Sequence, residues 1–334
     1  MAGFKTKRIT NYDLPLVIEP TATIRTFPEA LEFVIRNRED LKKELLKAGG
    51  LLFRGFPVCS EQDFSSFIKA FGLGEFLNYI GGDSPRTKVA EGIYTSTEAP
   101  PSIKIPLHNE LSFVDQFPKH IYFYCHVAPE KDGETILGDA RKIYQCVDRE
   151  VRKRFDENGL KYTSCYYHKS KVMDLLNSLQ PSHKTWMNVF ETEHKGEVEK
   201  LCRECNFSYA WNANDWIRLT QERPATMSHP ITNESVWFNQ AHLYDFNPRL
   251  LGLWRYIGAK LFYFRKHTKL HEICYRDGSE IPRKDLYHVH DVLDANTIKF
   301  PWQKGDVLVL DNVLAMHGRN IFKGKRRVLA AMTG

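Results

Sequence analysis

In Asp306-Val307-Leu308-Val309-Leu310-Asp311-Asn312-Val313-Leu314-Ala315-Met316-His317-Gly318-Arg319, an apolar run predicts a buried strand. A second apolar run then ends on a histidine. Ten residues further on, Arg327 opens another run to Met332 that predicts the last strand. Working back from this end, His120–Val127 alternates with aromatic content and predicts a strand, as does Ser235-Val236-Trp237-Phe238-Asn239. Leu51-Leu52-Phe53 is a short apolar strand closed by Gly55 and Pro57. It follows a helix predicted over 28–48, whose stop is Gly49-Gly50. Ser60-Glu61-Gln62-Asp63 has the pattern of a capping box. It opens a helix with Phe64, Phe67, Ile68 and Phe71 at i, i+3, i+4 and i+7. Residues 81–106 are rich in Gly, Pro, Ser and Thr and predict a long ordered loop with short strands. The stretches 141–157, about 171–205 and 247–266 read as helical. The expected fold is mainly β with flanking helices (α+β), a jelly-roll-like barrel in one domain over 1–334. A helical insertion over roughly 141–230 is expected to cover the core.

His108-Asn109-Glu110 stands far upstream of His317. On a strand, residues i and i+2 share a face, so His108 and Glu110 would project together and Asn109 away. With His317 they make two imidazoles and one carboxylate, a set that binds one face of a metal and leaves the other open. That is the ligand pattern of a non-haem iron(II) oxygenase. An arginine nearby can clamp the carboxylate of a co-substrate through two parallel hydrogen bonds. Arg326 and Arg327 alternate, so only one of them can face the interior. A buried arginine needs a carboxylate partner, and a bound dicarboxylate would provide it.

The 334 residues carry 47 basic and 41 acidic side chains, and the net charge of +6 is spread thinly. That excess is too weak to argue for nucleic acid and is compatible with a small anionic substrate. Seven cysteines, an odd number without scaffold density, favour a reducing cytoplasm. The basic start precedes no apolar stretch, so no signal peptide is expected. No apolar run is long enough to cross a membrane. Cys202-Arg203-Glu204-Cys205 has no second cysteine pair at zinc spacing and reads as part of an inserted helix. His288-Val289-His290-Asp291 lies in a polar helical stretch and reads as surface histidines. Phosphate-loop, dinucleotide, zinc-protease and serine-hydrolase motifs do not occur. The polar members of Trp237-Phe238-Asn239-Gln240-Ala241-His242 need partners if buried. Asn239 and His242 either line a substrate pocket or belong to a satisfied structural network.

Taken together, Leu52-Phe53-Arg54-Gly55-Phe56, Tyr94-Thr95-Ser96-Thr97-Glu98, Pro106-Leu107-His108-Asn109-Glu110, Gly133-Glu134-Thr135 with Gly138-Asp139, Trp237 to His242, Gly305-Asp306 with Asp311-Asn312, and His317-Gly318-Arg319 with Arg326-Arg327-Val328 resemble the taurine dioxygenase family of iron(II)/2-oxoglutarate-dependent oxygenases. The pattern looks closest to its clavaminate synthase-like branch, which includes amino-acid hydroxylases. The resemblance implies a double-stranded β-helix. It also implies iron(II) bound by His108, Glu110 and His317, with 2-oxoglutarate gripped by Arg327 and helped by Thr135. The implied reaction uses molecular oxygen, hydroxylates an unactivated C–H, and releases succinate and carbon dioxide. A carboxylate ligand at Glu110 argues against halogenation. Relatives acting on taurine or amino acids often carry a second arginine four positions after the 2-oxoglutarate arginine, and Ala331 stands there. A free amino acid would then need another anchor, such as Arg86 or Arg54. A substrate attached to a carrier protein would need none. Desaturation or ring closure at the same site, and a non-enzymatic cupin-like protein that binds a small acid, are the alternatives.

Overall fold

The computed structural model describes residues 4–9, 13–20, 24–77, 86–97, 99–170, 185–245, 247–263 and 271–334. Strands β1 (Lys5–Arg8), β2 (Leu16–Glu19), β3 (Gly50–Phe53), β4 (Lys88–Ala90), β5 (Ile93–Thr95), β7 (His120–Val127), β16 (Val307–Asp311) and β19 (Arg327–Thr333) form one eight-stranded sheet. Its order is β1-β2-β3-β16-β7-β19-β5-β4, so strands from the two chain ends lie side by side at its centre. A three-stranded sheet, β6-β17-β9, is made of β6 (Ile105–His108), β17 (Ala315–Arg319) and β9 (Thr135–Asp139).

The large sheet is buried on both faces, and alternation along its strands sorts the residues. One face presents Leu51, Phe53, Tyr122, Tyr124, Val307, Val309, Leu329 and Ala331 to helices α1 (Phe27–Arg36), α2 (Arg38–Ala48) and α3 (Glu61–Phe71). The other presents Leu52, Ile121, Phe123, Cys125, Leu308, Leu310, Val328, Ala330 and Met332 to the rest of the core. The Phe123 ring on this inner face lies 5.1 Å from that of His317, so the sheet packs directly against the proposed metal ligands.

The local signals of the first helices hold with one difference. Ser60 Oγ accepts from Asp63 N at 3.0 Å and Asp63 Oδ2 accepts from Ser60 N at 3.1 Å, closing the capping box. Gly49 ends α2 at φ 78°. The single helix expected over 28–48 is two, parted at Asn37, whose side-chain amide donates to Phe33 O. A side chain that takes a helical carbonyl competes with the next turn of the helix.

The insertion is not simply helical. Helices α4 (Ala140–Cys146) and α5 (Arg149–Asn158) start on Asp139 and Asp148, each of which accepts two backbone N–H bonds. They lead into β10 (Leu160–Tyr166). After α6 (Trp186–Phe190) and α7 (Lys195–Glu204) come β11 (Ser208–Trp211), β12 (Ile217–Arg223), β13 (Thr226–Ser228) and β14 (Ser235–Trp237). With β15 (His271–Tyr275), β10, β11 and β12 build a four-stranded sheet β11-β12-β10-β15. Part of the expected 171–205 helix, 171–184, lies outside the described residues. Helices α8 (Ala241–Tyr244), α9 (Pro248–Leu251), α10 (Leu253–Tyr263) and α11 (Arg283–Ala295) complete the fold, with the two-stranded pairs β13-β14 and β18 (Phe322–Lys323) with β8 (Lys131–Asp132). Among the described residues no helix is long and apolar enough to cross a membrane.

Arg54, one of the anchors considered for substrate, is committed to the fold. It grips the fully buried Asp306 through Nε at 3.1 Å and Nη2 at 2.7 Å, and donates to Pro301 O. Removing one member of a buried pair strands the other. Arg54→Ala is therefore expected to cost about 3 kcal/mol of stability, read from urea denaturation. A loss well below 1 kcal/mol would mean that water reaches Asp306.

Candidate active site

His108 ends β6, and His317 sits opposite it as its register partner on β17. The two rings approach to 4.5 Å between centroids. Glu110 reaches them by a route that differs from the expected one. The strand stops at His108, and Glu110 is the first residue of a turn whose next member, Leu111, has φ 52°. The carboxylate still arrives: Glu110 Oε2 is 3.5 Å from His317 Nε2, and one donor atom from each of the three residues lies within 4.8 Å of the others. All three side chains are largely shielded from water.

This geometry survives outside a strand because other elements hold the backbone. Pro106 O accepts from His108 Nδ1 at 2.9 Å, and Leu107 O from His242 Nε2 at 2.8 Å. Asn109 O accepts from the Gln240 amide. Asn312 accepts from Glu110 N at 2.8 Å and donates to Glu110 O at 3.0 Å and Pro118 O at 2.7 Å. Asn109, facing away from the metal position, donates to Asn312 O at 2.6 Å. The turn that carries Glu110 is thus locked to the link between β16 and β17. Sequence places Asn109 away from the metal and Asn312 in a family-like motif, but nothing local marks two residues 203 positions apart as partners.

The same bonds decide the Trp237–His242 motif. Asn239 is fully buried, with Nδ2 on Ala225 O and Oδ1 accepting from Ala241 N. His242, also fully buried, backs onto His290 at 5.4 Å. Both side chains therefore sit in a hydrogen-bonded network: His242 holds β6 behind the metal position, and Asn239 ties Ala225 to the start of the helix at Ala241. Burial, reinforced by His290, pushes His242 down to about 3, so it is neutral. The surface reading of His288-Val289-His290-Asp291 is corrected. His290 is buried, and His288 accepts from Asp148 N at 2.9 Å at the start of α5.

The donor set suits a divalent metal. His108 Nδ1 gives its hydrogen to Pro106 O, which leaves Nε2 as the lone-pair donor. Burial, then His317, pushes His108 down to about 4, so the ring is neutral near pH 7. Burial alone would raise the Glu110 carboxyl, but Arg86 and the two histidines hold it well below the usual range, ionised. Arg86, a candidate substrate residue, lies with its Nη2 2.7 Å from Glu110 Oε2.

Gly318 separates the two strands of the site. A Cβ there would press on the carbonyl oxygens of Ile105 and Pro106, only 2.8 Å from the second. Backbone cannot yield as a side-chain tip can. Gly318→Ala is expected to push β6 off β17, part the two histidines and weaken metal binding at least tenfold. A metal titration with unchanged affinity would refute that.

Of the two arginines, Arg326 faces inward. Its Nε donates to Gly133 O at 2.9 Å, and its Nη atoms make longer contacts to Ser96 Oγ at 3.3 Å and Thr135 Oγ1 at 3.5 Å. Among the described residues no carboxylate pairs with it. Burial, with the neighbouring Arg319, pulls it down to about 10. Thr135 Oγ1 also accepts from Trp302 Nε1 at 3.2 Å, so its own hydrogen is left for a further acceptor. Arg327, expected to face the interior, points the other way and pairs with Glu61 at 2.9 Å near the surface, with its side chain 44% exposed. Counted from Arg326, the fourth following residue is Ala330 on the inner face, so no second arginine stands there either.

A mostly apolar cavity of about 680 Å³ is lined by Leu111, next to Glu110, and by Val114, Phe117, Phe207, Val313 and Met332. No metal-ligand candidate lines it, so the chemistry is assigned to the histidine–glutamate cluster and not to that space.

Residues 18–333 match the family of taurine catabolism dioxygenase TauD and TfdA. The chain is 35% identical over 289 residues to the dapdiamide synthesis protein DdaC of Enterobacter agglomerans, covering 86% of this chain and 83% of that one. It is 29% identical to a clavaminate synthase-like protein of Arabidopsis thaliana, covering 98% and 95%. Its fold is similar to that of a taurine dioxygenase from Burkholderia xenovorans, with TM-score 0.54, 13% identity and 99% and 89% of the two chains covered. PvcB from Pseudomonas aeruginosa is similar at TM-score 0.53, 13% identity and 99% and 91% coverage. The chain belongs to the TauD/TfdA family and is an iron(II)- and 2-oxoglutarate-dependent dioxygenase.

Proposed function

We propose that the protein hydroxylates an amino-acid-like small molecule, free or carried by a partner protein, in the cytoplasm. Its two sheets, β6-β17-β9 and the eight-stranded one, would be the halves of a double-stranded β-helix in a single domain. The observation that carries the proposal is the meeting of His108, Glu110 and His317 in a buried site whose fold also holds a part-buried, inward-facing arginine with no carboxylate partner among the described residues. The three residues would hold iron(II) on one face, two by an imidazole nitrogen and one by a carboxylate. When bound, iron(II) and 2-oxoglutarate supply the oxidising power, oxygen being consumed as the keto acid becomes succinate and carbon dioxide.

The protein's part is geometric and electrostatic. Arg326, with the Thr135 hydroxyl, would hold the far carboxylate of 2-oxoglutarate. Thr135 lies two residues along β9 from Leu137, the register partner of His317. That is a step of about 7 Å along the strand, within reach of a five-carbon diacid anchored at the metal position. Arg327 has no part in this arrangement. The amino-acid-like substrate is supported by the relative named for dapdiamide synthesis. All seven cysteines are free thiols, in keeping with a reducing compartment.

The test is succinate release with iron(II), ascorbate and 2-oxoglutarate against free amino acids and carrier-bound aminoacyl groups. The expected result is substrate-dependent succinate together with a product that gains one oxygen. A product that loses two hydrogens instead would make the enzyme a desaturase or cyclase. Succinate release that no member of either panel stimulates would overturn the substrate class.

A further inference from the structure

Arg86 immediately precedes the Thr87–Thr95 contact at the edge of the large sheet. Thr87 N donates to Thr95 Oγ1 at 2.8 Å and Thr95 N to Thr87 O at 2.9 Å. Its side chain is therefore delivered from the same sheet that carries Arg326. It is only 4% exposed, and Nη2 lies 2.7 Å from Glu110 Oε2. That same oxygen faces His317 Nε2 at 3.5 Å. The guanidinium and a metal ligand converge on one atom. A metal bound by Glu110 and His317 would lie about 2 Å from each donor, within a few ångströms of the arginine. Two cations this close in a site shielded from water repel strongly unless an anion stands between them.

We propose that Arg86 is a displaceable counter-cation of the metal site. It neutralises Glu110 while the site is empty, yields Oε2 to the metal, and then offers its guanidinium to a carboxylate of the substrate. The proposal rests on the metal assignment made above and names a substrate class for it: a molecule with a free carboxylate close to the reacting carbon. Two other inward-facing arginines among the described residues are held by the fold itself. Arg54 holds Asp306, and Arg319 donates to the carbonyls of Ala99, Pro100 and Ile103. Arg326 lies with Thr135 and would take the far end of 2-oxoglutarate, whose near end goes to the metal. The anion still to be supplied is the substrate's, and a planar guanidinium fits a carboxylate with two bonds.

Anaerobic titration with Co(II), followed by its visible absorption, separates the outcomes. Arg86→Gln is expected to bind Co(II) at least tenfold more tightly than the wild type, and Arg86→Lys, which keeps the charge, about as tightly. Unchanged or weaker binding by Arg86→Gln, with circular dichroism showing the fold retained, overturns the proposal, because a residue that merely orients Glu110 would lower affinity when removed. With Co(II) and 2-oxoglutarate bound, the twenty free amino acids and their carboxamides are then compared. Some acids should perturb the wild-type spectrum, their amides should not, and Arg86→Gln should respond to neither. Equal responses to acids and amides, silence towards every acid, or acid responses that persist in Arg86→Gln overturn the substrate half. A wild type that binds no Co(II) removes the metal assignment itself, an outcome distinct from all of these.

Discussion

Arg326→Gln is expected to raise half-saturation by 2-oxoglutarate at least a hundredfold, while Arg327→Gln stays within twofold of the wild type. The two residues are neighbours of the same type, so the contrast isolates where each guanidinium sits. Arg326 is part-buried among Gly133 O, Ser96 and Thr135, with two long contacts on its Nη atoms and no carboxylate partner among the described residues. A dicarboxylate would supply the charge that the protein withholds. Truncating one member of a buried charge pair costs about 3 kcal/mol or more, which corresponds to a factor of about a hundred or more at 1.4 kcal/mol per decade. Arg327 pairs with Glu61 on α3 at the surface, where an ion pair contributes about 0–1 kcal/mol. The measurement is an anaerobic 2-oxoglutarate titration of the iron(II)-loaded protein, read from its weak visible charge-transfer band, so no substrate is needed. Impaired binding in Arg327→Gln and normal binding in Arg326→Gln would reverse the assignment.

The choice between these arginines shows where sequence runs out. Alternation states that one of Arg326 and Arg327 faces inward, and that holds. It cannot say which, because Val328, Leu329, Ala330, Ala331 and Met332 are all apolar and all buried. A strand covered on both faces has no polar side to mark its parity. The faces are set by helices α1 to α3 on one side and the site on the other. Features encoded within a few residues were legible: the capping box at Ser60, the glycine stop at Gly49, and the strands at His120–Val127 and Val307–Asp311. The β-strands of the insertion were missed, although Ile217, Leu219 and Gln221 are buried in alternation along β12. Gln221 breaks the apolar pattern because its amide donates to Cys205 O, a partner that sequence does not reveal.

The metal cluster was legible for a partly mistaken reason. A strand running through His108 and Glu110 would bring both side chains to one face. The structure ends that strand at His108 and delivers Glu110 through a turn held by Asn312 and Gln240. Both routes bring the same atoms together, so residue types at a spacing were a sounder guide than the secondary structure invoked to explain it.

Replacing His108, Glu110 or His317 singly by Ala is expected to reduce iron-dependent 2-oxoglutarate turnover at least a thousandfold and to remove stoichiometric metal binding. Three ligands fix the geometry while leaving positions for co-substrate and oxygen, so the loss of any one breaks the site as a unit. The three variants should not be equal in stability, and that inequality makes the test sharper. Glu110→Ala leaves Arg86 buried beside two imidazoles without its carboxylate, which should destabilise the fold by about 3 kcal/mol. His317→Ala removes a ring packed against Phe123 and leaves a cavity, but strands no charge. His108→Ala frees Pro106 O of its hydrogen bond, a smaller loss of about 1 kcal/mol. Urea denaturation of the metal-free proteins should therefore rank Glu110→Ala as the least stable, while metal analysis finds all three equally empty. Full metal occupancy and turnover in any one of them would remove that residue from the site. Equal loss of stability in all three would mean that Arg86 does not depend on Glu110 for its charge balance.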